Sequence, residues 1–281
     1  MLRSVMVPVE FSEECSLILK FARGLPALGV TRAILGHVVE ESGKEGPVIS
    51  RSVDRARERI REMVGPLTEA GLQVEVRVGT GDPARELLAL ASEAHVDGVI
   101  AGTHGRSLIS KLISGSVSEQ IAMEAEAPTM LVRYNLLRNR DEPADLARGF
   151  GKQLILASDF SASSTRALMA VLELPRGSVG MLYLLHAVDP GLSGDKLRRS
   201  REGAEFQLET MRKMAEDAGV PARSVVREDE PKRAVLREAN ERRVTGIVVG
   251  SRGQNPLQEA FLGSTSMTLT RQASCPVMIV P

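Results

Sequence analysis

Short apolar runs alternate with longer segments of helical periodicity along the chain. In the first half, the apolar runs lie near residues 3–9, 33–39, 73–78, 97–101 and 129–133. Between them, Ser12 and Asp82 stand where a helix N-cap is expected, and Pro83 follows at the first helical position. The runs VMVPV and GVIAG are apolar throughout, which is typical of strands covered by helices on both faces. The pattern therefore predicts βαβ units and a parallel sheet.

The second half of the chain repeats the pattern of the first. SVMVPVEFSEECSLILKFA corresponds to LILASDFSASSTRALMAVL, and GDPARELLALASEAHVDGVIAGTHG corresponds to DEPKRAVLREANERRVTGIVVGSRG. The closing segment APTMLVR likewise corresponds to CPVMIVP. We predict two domains of one fold, 1–134 and 151–281, each a five-stranded parallel-sheet α/β sandwich. Residues 135–150, where charges mix with Pro and Gly and no repeat is found, are the predicted linker.

Composition narrows the classes of function. Lys and Arg total 36, as do Asp and Glu, while aromatic residues make up 3% of the chain and Trp is absent. Nucleic-acid binding usually needs a basic surface or aromatic platforms, so we expect no nucleic-acid partner. Cys15 and Cys275 are far apart in sequence and are expected to be buried thiols rather than a disulfide framework. No apolar run has the length of a membrane span or a signal peptide, so we expect a cytoplasmic protein that does not bind membranes.

A glycine pattern follows the fourth apolar run of each half. The spacing Gly-x2-Gly-x9-Gly-Ser occurs at Gly102, Gly105, Gly115 and Ser116, and again at Gly250, Gly253, Gly263 and Ser264. Glycine lets the backbone approach a ligand closely, and amide N–H groups at a helix N-terminus favour an anion. The pattern predicts a phosphate-binding loop at the carboxyl end of a parallel strand, where open α/β sheets bind ligands. The alternative is that the glycines only form tight turns and the serine only caps its helix.

The repeat unit resembles the universal stress protein domain over nearly its full length. The similarity lies in VPVEFSEE, GHVVE, the spaced glycines and the closing APTMLV, so the whole chain is similar to a tandem universal stress protein. The glycine spacing marks the ATP-binding branch of that family. The resemblance implies an adenine-nucleotide alpha hydrolase-like fold with ATP bound in each half, any Mg held only through the ATP phosphates, and AMP or ADP as alternative ligands. It also implies that edge strands pair between the halves as a pseudo-dimer, and it leaves a further homodimer open.

Carried over residue by residue, the resemblance assigns the acid after the first strand to the base and ribose, and the glycine loop to the phosphates. In the first half, the expected nucleotide-binding residues are Pro8, Val9, Glu10, Val38, Ala101, Gly102, His104, Gly105, Arg106, Gly115, Ser116 and Val117. In the second half, they are Asp159, Ala187, Val249, Gly250, Arg252, Gly253, Gly263, Ser264 and Thr265. No protein side chain is expected to bind a metal directly.

The two expected sites differ in the acid assigned to the base and ribose and in the charged residues of the phosphate loop. Glu10 stands where the family usually has Asp, the residue that the second half keeps as Asp159. Between the second and third glycines, the first half carries Arg106 and Lys111, whereas the second carries Glu259. We therefore expect the first site to hold a triphosphate more tightly.

The sequence indicates binding rather than catalysis. It contains no Walker loop, no G-x-S-x-G elbow and no H-E-x-x-H pair, and no catalytic residue is assigned. His104 could act as an acid, a base or a phosphate contact, but Arg252 replaces it in the second half. We expect an ATP-binding regulatory module in stress response, with at most slow hydrolysis, whose unidentified protein partners sense the nucleotide-loaded state. A slow ATPase or nucleotide-handling enzyme, and an interaction scaffold with vestigial sites, stay open as alternatives.

His37 and His186 occupy equivalent places at the end of the second strand of each half. Neither has neighbours at metal-ligand spacing, so we expect core packing or a local hydrogen bond for both.

Overall fold

The computed structural model describes residues 2–41, 46–104, 117–253 and 263–281. These residues form two compact units, the first running to Arg148 and the second comprising Gly149–Pro281. We call them unit 1 and unit 2. Each contains one of the sequence repeats.

Unit 1, in its described residues, is a parallel sheet accompanied by helices. Its strands are β1 (Ser4–Pro8), β2 (Arg32–Val39), β3 (Gln73–Thr80), β4 (Gly98–Thr103) and β5 (Thr129–Arg133). Its helices are α1 (Glu13–Ala22), α2 (Gly46–Glu62), α3 (Gly65–Glu69), α4 (Pro83–Glu93), α5 (Val117–Glu124), α6 (Tyr134–Arg138) and α7 (Ala144–Arg148), with a 3₁₀ turn at Leu25–Leu28. The strand order is β3-β2-β1-β4-β5, with neighbouring strands parallel. The strands predicted for the first repeat are confirmed.

Unit 2 repeats this architecture. Its described strands are β6 (Leu154–Ala157), β7 (Leu182–Val188), β8 (Ala222–Glu228), β9 (Gly246–Gly250) and β10 (Val277–Val280). Its described helices are α8 (Ala162–Leu172), α9 (Gly194–Asp217), α10 (Pro231–Glu241) and α11 (Ser264–Gln272). The strand order is β10-β9-β6-β7-β8, again with parallel neighbours. The prediction of two repeated five-stranded α/β folds is therefore confirmed.

The helix caps predicted at Ser12 and Asp82 form, and Ser161 caps the matching helix of unit 2. The Ser12 side chain accepts a hydrogen bond from the Cys15 amide at 3.2 Å, and Ser161 accepts one from the Ser164 amide at the same distance. Asp82 caps α4 through the Arg85 amide at 3.1 Å. Each cap satisfies an amide that the helix itself leaves without a partner, so these short polar residues fix where the helices begin.

Burial on both faces explains the uniformly apolar strands. In β1, Val5, Met6 and Val7 are fully buried, and β9 is buried along its whole length. On one face of the unit 1 sheet, Met6 packs in a core cluster with residues of α4 and α5, among them Leu87 and Ile121. This cluster holds the first turns of both helices against the strand ends.

A single proline distinguishes the long helices of the two repeats. The stretch from Gly46 to Glu69 is split into α2 and α3, whereas the equivalent stretch of unit 2 is the continuous helix α9. Pro66 lies in the first turn of α3. Because proline has no N–H group and its ring collides with the preceding helical turn, α2 ends before it.

The predicted linker, 135–150, carries secondary structure. Most of α6 and all of α7 fall within it, and Leu137, Ala144 and Ala147 are fully buried. A Cβ atom on Gly24 would collide with the Ala144 carbonyl oxygen, so α7 packs closely against the turn after α1. These contacts fix the segment on unit 1.

Among the residues of unit 2 that the structure describes, Glu238 on α10 is the one buried charged side chain, at 1% exposed. Its carboxylate accepts hydrogen bonds from Arg227 and Arg242. Burial alone raises the pKa of this carboxyl group, but the two guanidinium groups outweigh that effect and hold the pKa below its ordinary value. A folded-state pKa below the unfolded value stabilises the fold at neutral pH, and this contribution is lost as the pH falls through the folded pKa.

We predict that Glu238→Gln lowers the free energy of unfolding by about 2 kcal/mol at pH 7, because two partly buried arginines lose their counter-charge. The deficit should shrink as the pH falls below about 4.3, the ordinary pKa of a glutamate. Urea denaturation at several pH values measures both. Glu209→Gln is the matched control, since Glu209 forms a more exposed pair with Arg212 and its loss should change the midpoint far less. If both substitutions lowered the free energy of unfolding equally, the buried Glu238 ion pairs would not stabilise the fold more than the exposed Glu209 pair.

Candidate functional site

A cavity of about 320 Å³ lies at the carboxyl ends of β1, β2 and β4 in unit 1. It includes every described residue predicted for the first site: Pro8, Val9, Glu10, Val38, Ala101, Gly102, His104 and Val117. The first two turns of α4 and α5 complete the wall through Pro83, Leu87, Ser118 and Ile121. The adjacent strands β1 and β4 connect to opposite halves of the sheet, so the cavity occupies the topological switch point at which open α/β sheets bind ligands.

The remaining residues predicted for the first site lie outside the described part of the chain: Gly105, Arg106, Gly115 and Ser116. Lys111 and Glu259, which distinguish the two loops, lie outside it as well. The structure thus defines the part of the site formed by the strand ends and by α5.

Two acidic side chains, Glu10 and Glu40, line the cavity, and Glu10 is oriented by two hydroxyl groups. The Ser12 hydroxyl donates to Glu10 Oε1 at 2.9 Å, and the Tyr134 hydroxyl donates to the same oxygen at 3.4 Å. Glu10 itself is exposed, whereas Tyr134 is 6% exposed. The carboxylate is therefore both held by the protein and open to a ligand.

Tyr134, the first residue of α6, was missed by the sequence reasoning. It lines the cavity, and its ring fills the space that a side chain on Gly102 would need, since a Cβ atom there would overlap the ring carbons. Its ring centroid is 4.8 Å from that of His104. The sequence feature that could have pointed to Tyr134 is an aromatic residue directly after β5, in a chain with few aromatic residues.

Ser118 and Ser266 form a second feature that the sequence reasoning missed. The Ser118 hydroxyl donates to the Gly102 carbonyl oxygen at 2.6 Å, and the Ser266 hydroxyl donates to the Gly250 carbonyl oxygen at 2.8 Å. Each bond ties the first turn of a helix to the strand that precedes the glycine loop. The signal was the repeated Gly-Ser-x-Ser sequence, in which only the first serine was assigned a role.

The histidines that end the second strand make the local hydrogen bonds expected of them. His37 Nδ1 lies 2.6 Å from the Val9 carbonyl oxygen, and His186 Nδ1 lies 2.8 Å from the Ser158 carbonyl oxygen. Because a carbonyl oxygen only accepts, Nδ1 carries the proton in both rings. Each bond joins the second strand to the residue just before the acid at the end of the first strand.

The residue after that acid has an unusual backbone in both units. Phe11 has φ of 59° and Phe160 has φ of 65°, in a region that bulky residues rarely adopt. Each phenyl ring packs against a histidine ring, with centroids 4.5 Å apart for Phe11 and His37. The turn carries the chain from strand to helix and fixes where the preceding acid lies.

In unit 2, the predicted acid and glycines come together at the end of β9. The Asp159 carboxylate accepts a hydrogen bond from the Ser161 amide at 3.0 Å, and its other oxygen would lie 3.0 Å from a Cβ atom on Gly253. The Ser163 hydroxyl fills the space above Gly250 and donates to the Arg252 carbonyl oxygen.

The other predicted residues of unit 2 lie on the elements around this point. Val249 is in β9, Ala187 is in β7, and Ser264 and Thr265 open α11. The Gly263 amide donates to the Ser251 carbonyl oxygen at 2.9 Å. A Cβ atom on Gly263 would meet no atom closer than 3.4 Å, so the described residues do not require glycine at this position.

The described residues also bear on metal binding, on the state of the two cysteines and on membrane spanning. The described residues contain no group of three or more His, Cys, Asp or Glu placed to hold a metal ion. Cys15 and Cys275 are buried free thiols, as expected, and burial raises the pKa of both, that of Cys275 to about 12. Among the helices that the structure describes, none combines the length and apolar character needed to span a membrane.

The fold and the cavity define unit 1 as a parallel α/β domain with a cavity at its strand ends. A sequence profile of the universal stress protein family matches residues 1–133 and 151–281, so the chain belongs to the universal stress protein family as a tandem member. Universal stress protein YxiE of Bacillus subtilis is 34% identical over 148 residues, covering 47% of this chain and 99% of that protein.

Two other proteins match the chain over almost its whole length. A universal stress protein of Mycolicibacterium smegmatis is 24% identical over 296 residues, covering 98% of this chain and 96% of its own. The crystal structure of a universal stress protein from Archaeoglobus fulgidus covers 100% of this chain and 96% of its own, with a TM-score of 0.76 and 22% identity. That match supports the tandem fold.

We predict that Ser266→Ala lowers the free energy of unfolding by about 1–2 kcal/mol, because it leaves the buried Gly250 carbonyl oxygen short of a donor. Urea denaturation measures the loss. Thr268→Ala on the same helix is the control, since its hydroxyl donates to a carbonyl oxygen of an exposed helical turn and its removal should cost less than about 0.5 kcal/mol. Similar losses in both variants would show that the Ser266 bond does not anchor the helix.

Proposed function

We propose that this chain is an ATP-binding universal stress protein that acts as a nucleotide-dependent regulatory module, with the cavity of unit 1 as one adenine-nucleotide site. The observation that carries the proposal is the convergence of all the described residues predicted for the first site on one cavity. These residues come from three strands and a helix, and the family resemblance of the sequence assigns each of them to nucleotide binding.

The lining of the cavity suits an adenine nucleotide. Val9, Val38, Leu87 and Ile121 offer apolar surface for a flat base, and Glu10 offers a hydrogen-bond acceptor for the base or the ribose. The volume of about 320 Å³ lies at the lower end of the range for small-molecule pockets.

The phosphates are proposed to lie toward the glycine loop. Helix α5 begins at Val117 in the cavity wall, and the amide groups and dipole at a helix N-terminus favour anions. Any Mg ion is proposed to be carried by the phosphates themselves. AMP and ADP would use the same base-side contacts.

Binding without efficient cleavage is the favoured activity. Hydrolysis would need a base positioned toward the attacking water. The cavity is lined by two imidazoles, that of His37, whose Nδ1 bonds to the Val9 carbonyl oxygen, and that of His104. The His104 ring packs against Tyr134, and Arg252 stands in the place of His104 in unit 2. A role shared by both sites therefore rests on backbone groups, which bind phosphate but transfer no proton.

The proposed signal is the nucleotide-loaded state, read by a protein partner in the cytoplasm. The domains are 1–134 and 151–281, and 135–150 joins them. Unit 2 is proposed as a second site for the same nucleotide, built around Asp159, Gly250, Gly253 and Gly263. The pairing of the two domains as a pseudo-dimer remains a prediction of the sequence, and a homodimer is compatible with it.

We predict that Gly263→Ala weakens ATP binding at the unit 2 site about tenfold while leaving the thermal midpoint of the apo protein unchanged. The added methyl group meets only ordinary contacts within the protein, so its effect should appear only where a phosphate needs the same space. Isothermal titration calorimetry of the full-length protein measures both sites.

Gly115→Ala is the matched variant for the first site and should remove the stronger of the two binding events. If Gly263→Ala removes the stronger event instead, the ranking of the sites is wrong. If neither the parent nor either variant binds ATP, adenosine triphosphate is not the ligand.

A further inference from the structure

The first glycine of the loop, Gly102 in unit 1 and Gly250 in unit 2, has a different residue in each unit where its own side chain would lie. In unit 2, it is filled by Ser163, a residue of α8. The equivalent residue of α1 in unit 1 is Glu14, because Ser12 and Ser161 cap the two helices at matching positions. Glu14 does not fill the space above Gly102, and instead pairs with Arg138 of α6. That ion pair helps hold α6 against α1, and Tyr134 at the start of α6 takes the space.

Tyr134 also contacts Glu10, one of the two acidic residues that line the cavity with Glu40. Its hydroxyl and that of Ser12 both donate to Glu10 Oε1. Among the described residues, no donor meets Glu10 Oε2, so this oxygen is left for a ligand. A carboxylate held through one oxygen presents the other in a defined direction, which is the requirement for selective recognition of a donor.

The protonation state of Tyr134 fits the role of a donor. Burial and the nearby charge of Glu10 raise the pKa of the Tyr134 phenol well above its ordinary value. The phenol therefore stays protonated at neutral pH and has its hydrogen available for Glu10.

We propose that Tyr134 is a positioning residue of the unit 1 site, which holds Glu10 through Oε1 and so selects ligands that present a hydrogen-bond donor to Oε2. This inference rests on the proposed nucleotide function of the cavity. It also explains how Glu10 can serve where the family usually has the shorter Asp, because the longer side chain is held from α6. Unit 2 keeps Asp159, which is held by a backbone amide of its own turn.

An adenine nucleotide offers donors of this kind from two sources, the 2′ and 3′ hydroxyls of the ribose and the amino group of the base. Both would make the same hydrogen bond to a carboxylate oxygen. Three analogues separate the two sources: 2′-deoxy-ATP and 3′-deoxy-ATP each lack one ribose hydroxyl, and inosine triphosphate lacks the amino group.

The binding experiment compares Tyr134→Phe with its parent in full-length protein carrying Gly263→Ala, so that unit 1 dominates the titration. Tyr134→Phe should bind ATP about fivefold more weakly, the cost of one lost hydrogen bond to a charged group acting through Glu10. For the analogue that lacks the recognised donor, the parent and Tyr134→Phe should bind equally. Tyr183→Phe is the matched control, because it removes the other tyrosine hydroxyl of the chain, on β7 of unit 2. Tyr183 is not among the residues that line the unit 1 cavity, so this change should not alter the affinity.

A double-mutant cycle with Glu10→Gln tests whether Tyr134 acts through Glu10. If it does, adding Tyr134→Phe to Glu10→Gln should weaken ATP binding no further. Additive losses, or equal weakening for ATP and all three analogues, would mean that Tyr134 only supports the wall, and would overturn the proposal.

A measurement without nucleotide separates this proposal from the proposed function. In the Tyr183→Phe protein, Tyr134 is the only tyrosine, so absorbance at alkaline pH follows its ionisation alone. We expect a raised phenol pKa that falls when Glu10→Gln removes the neighbouring charge. If the pKa falls and ATP binds but Tyr134→Phe has no effect, the positioning role fails while the nucleotide function stands. If the parent binds no ATP, both the nucleotide function and the selection by Tyr134 fail.

Discussion

The burial of β1 and β4 from both faces is the constraint on which the site in unit 1 depends. These strands lie side by side, and their apolar residues are almost fully enclosed. Because they are parallel, the chain leaves both at the same edge of the sheet, and it leaves them toward opposite halves of the fold. A crevice at this point follows from the topology rather than from any single side chain. The residues at the two strand ends then decide what the crevice can bind.

The two repeats show which parts of that edge belong to the scaffold. Both keep a serine that ties the following helix to the strand carbonyl, and both keep a histidine that bonds to the backbone beside the acid. These contacts are made to backbone atoms, so they preserve geometry whatever ligand is bound. The two units differ in the group that occupies the side-chain position of the first loop glycine, which is a tyrosine ring in unit 1 and a serine hydroxyl in unit 2. The scaffold is thus duplicated, while the surface that a ligand would meet has diverged.

The sequence predicted the repeated fold well because its signals are local and repeated. Apolar runs, helix caps and prolines depend on neighbours in the chain, and Ser12 and Asp82 act as caps as their positions indicate. The strand-end residues expected at the first site came from the family resemblance, and the described ones line a single cavity. Tyr134 was not predictable, because its role depends on how α6 folds back onto α1 and Gly102, and sequence spacing carries no information on that contact. Ser118 was missed for a related reason, since it bonds to a carbonyl sixteen residues earlier in the chain.

Binding of an adenine nucleotide at the strand-end cavity is the central claim. Native mass spectrometry of the full-length protein, as purified and after addition of millimolar ATP, tests it most directly. We expect a bound mass of an adenine nucleotide, with up to two per chain. A protein that retains no nucleotide, and whose melting temperature is unchanged by millimolar ATP, would contradict the claim.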